Sequence, residues 1–282
     1  MIYLAAAMWL AGMALLWHLG QRAAGPSAIR SFERPLPLPR LPAALDGLRL
    51  LHISDAHLSP RNDFVQTILS RAEAARPDLV AITGDLPSSP YGLPLARRLL
   101  ERLAARWPTY VVLGNADHWA DRFHHSIARW GETGAHVLTN QGLSFPDGDG
   151  LWIAGVDDPF RYRDDPARAL AGAPADGLKL LLAHSPDVIQ RAAALQADLI
   201  LTGHTHGGQV RLPLIGAILT RSRVGRNYAR GVFRLGNGTV LIVTSGLGVT
   251  RLAVRFWCPP EMTVWVLRRT VDSRRETVDS RQ

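Results

Sequence analysis

The stretch Leu199-Ile200-Leu201-Thr202-Gly203-His204-Thr205-His206-Gly207-Gly208-Gln209 decides how the chain is read. A short apolar run of strand character breaks at a glycine, and two histidines follow, two positions apart. Histidine is the commonest metal ligand, and the flanking glycines let the backbone turn sharply and pack closely. Taken alone, a His-x-His pair also suits a surface or a core position.

Four other apolar runs end in the same way. Leu48–Ser54 leads into Asp55-Ala56-His57, Leu79–Thr83 into Gly84-Asp85, Tyr110–Leu113 into Gly114-Asn115, and Leu178–Ala183 into His184. Short continuous apolar runs bounded by turn signals read as buried strands, and the fold class is α/β. In open α/β sheets ligands gather beyond the carboxyl ends of the strands. Asp55, His57, Asp85, Asn115, His184, His204 and His206 are therefore expected to converge on one edge. Carboxylate, amide oxygen and imidazole together suit two divalent ions, with manganese, iron, zinc and cobalt all open.

The order Asp-x-His, Gly-Asp, Gly-Asn, His, Gly-His-x-His resembles the calcineurin-like metallophosphoesterases. The Gly-His-Thr-His-Gly-Gly-Gln wording and Cys258-Pro259-Pro260-Glu261 are similar to the bacterial membrane-associated branch, and the resemblance covers roughly residues 46–268. It implies a four-layer α-β-β-α sandwich and a dinuclear hydrolase. By resemblance, Asp55, His57, Asp85 and His206 hold one ion, and the bridging Asp85 with Asn115, His184 and His204 holds the other. A hydroxide shared by the two ions would attack phosphorus in line, with no covalent phosphoenzyme.

One position departs from the family pattern. After Gly114-Asn115 the family carries a histidine that assists the leaving oxygen, whereas this chain has Ala116, then Asp117 and His118. Ala116 cannot donate a proton. His118 is the candidate substitute acid, with a neighbouring or surface role as the alternative. A diphosphate bond tolerates a missing acid better than an alkyl monoester, because its leaving group is already good.

Ahead of this unit, Ile2 to Leu19 carry no charged side chain. As a helix they would span roughly 27 Å at 1.5 Å per residue, close to a hydrocarbon core of about 30 Å. Residues 1–20 are thus expected to be a transmembrane anchor. Arg22, Arg30, Arg34 and Arg40 follow the apolar run and none precedes it, which argues against a secretory signal. The same asymmetry puts the catalytic domain on the cytoplasmic side of a bacterial inner membrane. Residues 21–43, with prolines at 35, 37, 39 and 42, are expected to be an extended linker. The catalytic domain is expected over 44–269, and the polar tail 270–282, which repeats Thr-Val-Asp-Ser-Arg, is expected to be disordered.

The formal charge is +8, and Lys179 is the only lysine beside the arginines. A basic balance suits nucleic acid, anionic lipid or phosphorylated substrates, or no particular partner. The arginines lack aromatic interleaving, so no nucleic-acid partner is expected. The single cysteine, Cys258, excludes an intramolecular disulfide and a cysteine-based metal cluster.

Amphipathic helices are expected over about Phe64–Ala75 and Leu93–Arg106, the second with an arginine-rich outer face. Another is expected around Trp119–Trp130. His124, His125 and His136 read as structural or exposed, and His52 as a bonded residue of the first strand. The segment 157–175, with Phe160, Arg161, Tyr162 and Arg163, reads as a substrate-side loop or a plain surface excursion. Further strands are expected at Val210–Leu214, Gly231–Leu235, Thr239–Val243 and Met262–Leu267. Arg221, Arg223 and Arg226 lie beyond the histidine pair and are the candidates for phosphate binding, because guanidinium forks match phosphate geometry.

The expected activity is hydrolysis of a phosphodiester or diphosphate bond. The substrate is a phosphorylated small molecule or a lipid, and the resemblance points to a nucleotide-lipid such as UDP-2,3-diacylglucosamine in lipid A synthesis. The alternatives are a broad phosphatase or phosphodiesterase acting on soluble or cell-wall phosphates, and a catalytically silent, membrane-tethered scaffold.

Overall fold

Two six-stranded sheets face each other across an apolar seam in a computed structural model that describes residues 2–61, 64–122, 127–145, 150–250 and 252–270. The first sheet has the order β1 (Arg30–Leu38), β14 (Glu261–Arg269), β2 (Arg49–Ile53), β3 (Leu79–Ile82), β4 (Thr109–Val111), β5 (His136–Val137). The second has the order β12 (Gly231–Arg234), β13 (Val240–Val243), β9 (Leu199–Thr202), β8 (Leu178–Leu182), β7 (Leu151–Gly155), β6 (Gln141–Ser144). Strands β2, β3 and β4 run parallel, as do β7, β8, β9 and β13. Buried parallel strands read as unbroken apolar runs rather than alternating ones, and this is why Leu79–Ile82 and Leu199–Thr202 stand out in the sequence.

Between the sheets, Leu50, Leu79 and Tyr110 pack with Ile153, Leu180 and Leu199. Outside the first sheet, α2 (Val65–Ala75) and α3 (Leu93–Ala104) bury Ile68, Leu69, Leu99 and Leu100. Outside the second, α5 (Pro166–Leu170) and α6 (Ile189–Ala194) bury Leu170 and Ile189. The four-layer α-β-β-α order is the expected one. The outer face of α3 is not purely basic, since Arg97 pairs with Glu101 and Glu132.

Several expectations are corrected. Residues 30–38 are not a free linker: they form β1, paired in parallel with β14 along its whole length. Leu36 and Leu38 are buried in the inter-sheet seam, while Pro35 and Pro37 occupy an edge strand, where a missing N–H is tolerated. The domain therefore begins before Ala44.

The expected anchor falls on a helix that also contacts the domain. Residues Ile2–Arg22 form helix α1, but among the described residues no helix is long and apolar enough to cross a membrane. Its last turn packs on the domain. Gly20 packs against Val254, and the Arg255 N–H donates to the Gly20 carbonyl at 2.9 Å.

The expected strand at 210–214 is a short hairpin of β10 (Arg211–Leu212) and β11 (Gly216–Ala217). The expected helix at 119–130 starts earlier, as α4 (Asn115–Asp121), followed by a 3-10 segment at Ile127–Thr133. His124, His125 and most of the tail lie outside the described residues.

Candidate metal centre

The carboxyl ends of β2, β3, β8 and β9 and the loop after β4 open on one edge, and the seven expected ligands meet there. Five of them, Asp55, His57, Asp85, His204 and His206, have positive φ between 45° and 67°. Residues other than glycine pay for that conformation, and such strain collects at functional sites. The intervening glycines serve close approach: a β-carbon at Gly114 would lie 2.3 Å from Asp85 Oδ1, and one at Gly203 would lie 2.2 Å from Asp55 Oδ2.

The donor atoms form two groups that share a wall. His57 Nε2 is 3.2 Å from His206 Nε2 and 3.5 Å from Asp85 Oδ2, and His206 Nε2 is 3.3 Å from Asp55 Oδ1. His184 Nε2 is 3.4 Å from the same Asp85 oxygen and 3.0 Å from His204 Nδ1. Two donors bonded at about 2.1 Å to one cation stand roughly 3.0–3.4 Å apart, so these separations suit shared cations. Asn115 Oδ1 is buried beside them with no hydrogen-bond partner among the described residues, which is what an amide oxygen awaiting a cation looks like. Asp85 Oδ2 lies between His57 and His184.

Neighbouring groups fix the ligands. His184 Nδ1–H donates to the Thr83 carbonyl at 2.8 Å, leaving the Nε2 lone pair free for a cation. Asp117 accepts N–H bonds from Gly114, Asp85 and Leu86 at 2.6, 2.7 and 2.9 Å. It therefore clips the Asp85 loop to the Asn115 loop. Burial, with the Asp85 charge beside it, pushes Asp117 up to about 7. Burial would lower His184, yet Asp85, Asp55 and Asp158 overcome it and raise the imidazole well above its ordinary range. His204 is pushed down to about 3, by burial and then by His184. Buried charges in such competition are relieved by bound cations.

The other candidates take different places. His118 Nε2 lies 2.5 Å from Asp157 Oδ1, and Arg163 Nη1 donates to His118 Nδ1 at 3.2 Å. Both ring nitrogens brace the 157–163 loop, so an acid role would require that loop to release the ring. The loop belongs to the site: the Phe160 ring packs against His204 with centroids 4.6 Å apart. Arg221 lines the cavity beside His204 and His206. Arg223 donates to the Pro159 and Phe160 carbonyls, each at 2.8 Å, and its guanidinium lies over Tyr162. Arg226 is exposed at the start of the Arg226–Tyr228 turn. His52 is buried and bonded to Thr83 Oγ1 at 2.9 Å, and His136 is exposed on β5, stacked on Tyr110.

Arg255 is a residue the sequence did not single out. It is fully buried, donates to the carbonyls of Ser245, Gly246, Gly248 and Cys258, and reaches His206 Nδ1 at 3.4 Å. The only signal was a charge inside the apolar run Leu252–Trp257.

Comparison with known proteins gives a consistent picture. The family described as calcineurin-like phosphoesterase matches residues 48–208. The metallophosphoesterase YkuE of Bacillus subtilis is 32% identical over 252 residues, covering 87% of each chain. A transmembrane protein with metallophosphoesterase domain from Danio rerio is also 32% identical, over 88% of this chain but 59% of that longer protein. The UDP-2,3-diacylglucosamine pyrophosphatase LpxG of Chlamydia trachomatis is 25% identical over 84% of this chain and 88% of its own.

Proposed function

The chain belongs to the calcineurin-like phosphoesterase family, a phosphoester hydrolase using two divalent metal ions, and on that premise we propose that it cleaves a diphosphate or an activated phosphodiester in an amphiphilic substrate. The metal ligands in this reading are Asp55, His57, Asp85 and His206 for one ion, and Asp85, Asn115, His184 and His204 for the other. Bound there, the ions supply a water of lowered pKa and neutralise charge building on the phosphoryl oxygens. Thr83 keeps His184 in the ligating tautomer, Asp117 holds the two acidic loops at fixed separation, and Phe160 shields His204. Arg221 is placed to meet a phosphate oxygen that reaches the cavity.

The observation that carries the choice of bond is the lack of a free proton donor after Asn115. Ala116 has none, and both nitrogens of His118 are engaged with Asp157 and Arg163. A leaving group that departs without protonation, such as a phosphate, fits that arrangement. The named activity of LpxG, a diphosphate cleavage in a nucleotide-lipid, supports the same reading, and the relatives named as transmembrane proteins support work at a membrane.

The test compares turnover of UDP-2,3-diacylglucosamine, bis(4-nitrophenyl) phosphate and butyl phosphate, whose alkoxide must be protonated to leave, by the manganese-loaded protein. The diphosphate and the diester should exceed the monoester by at least about tenfold, the value of a general acid being roughly 10²–10⁴ where one is needed. A monoester cleaved fastest would overturn the proposal.

A further inference from the structure

The wall that carries the histidine pair continues into a surface that chemistry at phosphorus does not use. A cavity of about 310 Å³ opens beside His204, His206 and Arg221, and runs between Ile218, Leu219 and Leu252. Leu219 is 70% exposed and Leu252 56%, and the hairpin tip adds the fully exposed Leu214 and Ile215, 63% exposed. A contiguous exposed apolar patch beside a site marks a binding surface.

Two features show that the patch is built rather than incidental. Leu214 sits at φ 63°, a conformation that glycine adopts freely and leucine does not. The cavity wall is also tied down by the residues that follow the histidine pair. The Gln209 carboxamide donates to the Leu252 carbonyl at 2.7 Å and accepts from the Thr250 N–H at 2.9 Å. Arg211 donates to the Gly207 carbonyl at 2.8 Å, and Gly208 passes so close to Ala217 that a β-carbon there would lie 2.4 Å from the alanine's own. The Gly-Gly-Gln motif thus shapes a rigid groove leading away from the ligand histidines, as preformed ligand pockets are shaped.

We infer that this groove is a subsite for an unbranched aliphatic chain joined to the phosphoester being cleaved. The phosphate lies at His204, His206 and Arg221, and the chain on Ile218, Leu219 and Leu252. A cationic and imidazole end continuous with an apolar end matches an amphiphile at both ends. A membrane surface or a second copy of the chain would engage Leu214 and Ile215 and leave the groove behind them unused. The inference rests on the phosphoesterase reading above and adds the substrate's apolar half to it.

The experiment uses the full chain loaded with manganese and a series of 4-nitrophenyl phosphodiesters whose second ester is methyl, butyl or octyl. A fully buried methylene contributes about fourfold; with partial burial, kcat/KM is expected to rise at least about 50-fold from methyl to octyl. In Leu219→Ser/Leu252→Ser the octyl-to-methyl ratio should fall to about five or less, while Leu195→Ser, an exposed leucine on α6's far end, should keep the wild-type ratio. Calorimetry of octyl phosphate against methyl phosphate on chelator-treated protein should show the same preference and the same loss. Brisk turnover with no chain-length slope would overturn the inference alone. A slope that survives the double substitution would overturn the assigned groove. Loss of binding to phosphatidylglycerol vesicles, or of a dimer, in Leu214→Ser/Ile215→Ser beside a flat series would assign the patch to those partners instead. No turnover of any diester or diphosphate by protein holding two ions would overturn the function and the inference together.

Discussion

The two ends of the parallel strands handle charge in opposite ways. At the amino ends, each carboxylate is matched by the protein. Asp78, just before β3, accepts the Arg49 N–H at 2.7 Å and returns its own N–H to the Arg49 carbonyl at 2.9 Å. Asp198, just before β9, repeats the pattern with Lys179 at 2.8 and 3.0 Å, and Arg40 stands 3.4 Å away. At the carboxyl ends, Asp55, Asp85 and four histidines crowd together with strained backbones and an amide oxygen that has no partner. The same local wording, Asp-Leu-Val at 78–80 and Asp-Leu-Ile at 198–200, therefore opens each strand on a satisfied end and runs it toward an unsatisfied one. The protein completes its own bonding where it needs stability and leaves it incomplete where ions are to enter.

That contrast can be broken by substitution. Asp85→Ala should have the largest effect, a fall in turnover of roughly 10³-fold or more with loss of both ions, because a bridging carboxylate supports several kcal/mol of charge stabilisation; metal analysis of the purified variant checks it. Retention of two ions and normal turnover would sink the bridging assignment. Asn115→Ala should lower turnover roughly 100-fold, yet leave the melting temperature of the chelated protein within about a degree. Its amide oxygen bonds nothing among the described residues, so a large drop in that temperature would show that it is structural.

His52 provides the counter-case, a histidine close to the centre whose environment is supplied by the protein. Burial pushes it down to about 3. The unfolded chain therefore takes up a proton near its ordinary value of 6.5 while the folded one does not, so stability falls as pH drops through that window. Relative to His52→Asn, the wild type should lose about 2.3 kcal/mol between pH 6.5 and 4.5 in urea unfolding. Parallel curves would contradict that account. Asp198→Ala should be the mildest, costing about 1–2 kcal/mol by leaving the Lys179 N–H unsatisfied, with kcat unchanged. A tenfold loss of activity there would mean that the two edges are coupled.

The metal-ligand candidates were legible because a buried parallel strand is mostly apolar, so the first metal-binding type of side chain after it is conspicuous. Asp55, Asp85, Asn115, His184 and His204 all announce themselves in that way. The second layer was not legible. Arg255 reaches His206 from 49 residues away, and nothing in Leu252–Trp257 tells which backbone carbonyls will surround a guanidinium. His118 was visible as a histidine in the right neighbourhood, but its engagement with Asp157 depends on how the loop from β7 folds back. The prolines at 35 and 37 read as a spacer because local pattern carries no information about a partner strand more than 200 residues away.

By itself the sequence determined the central parallel strands, the two helices outside the first sheet, the seven side chains meeting at one edge and the absence of a proton donor at Ala116. Each follows from short-range pattern: hydrophobic period, turn residues and residue chemistry. Only the tertiary structure decided that residues 30–38 complete the first sheet, that His118 braces a loop, and that the Gly-Gly-Gln turn builds an apolar groove beside the histidines. Those outcomes depend on which distant backbone supplies the missing hydrogen bond or apolar contact, and the packing of the whole chain settles that.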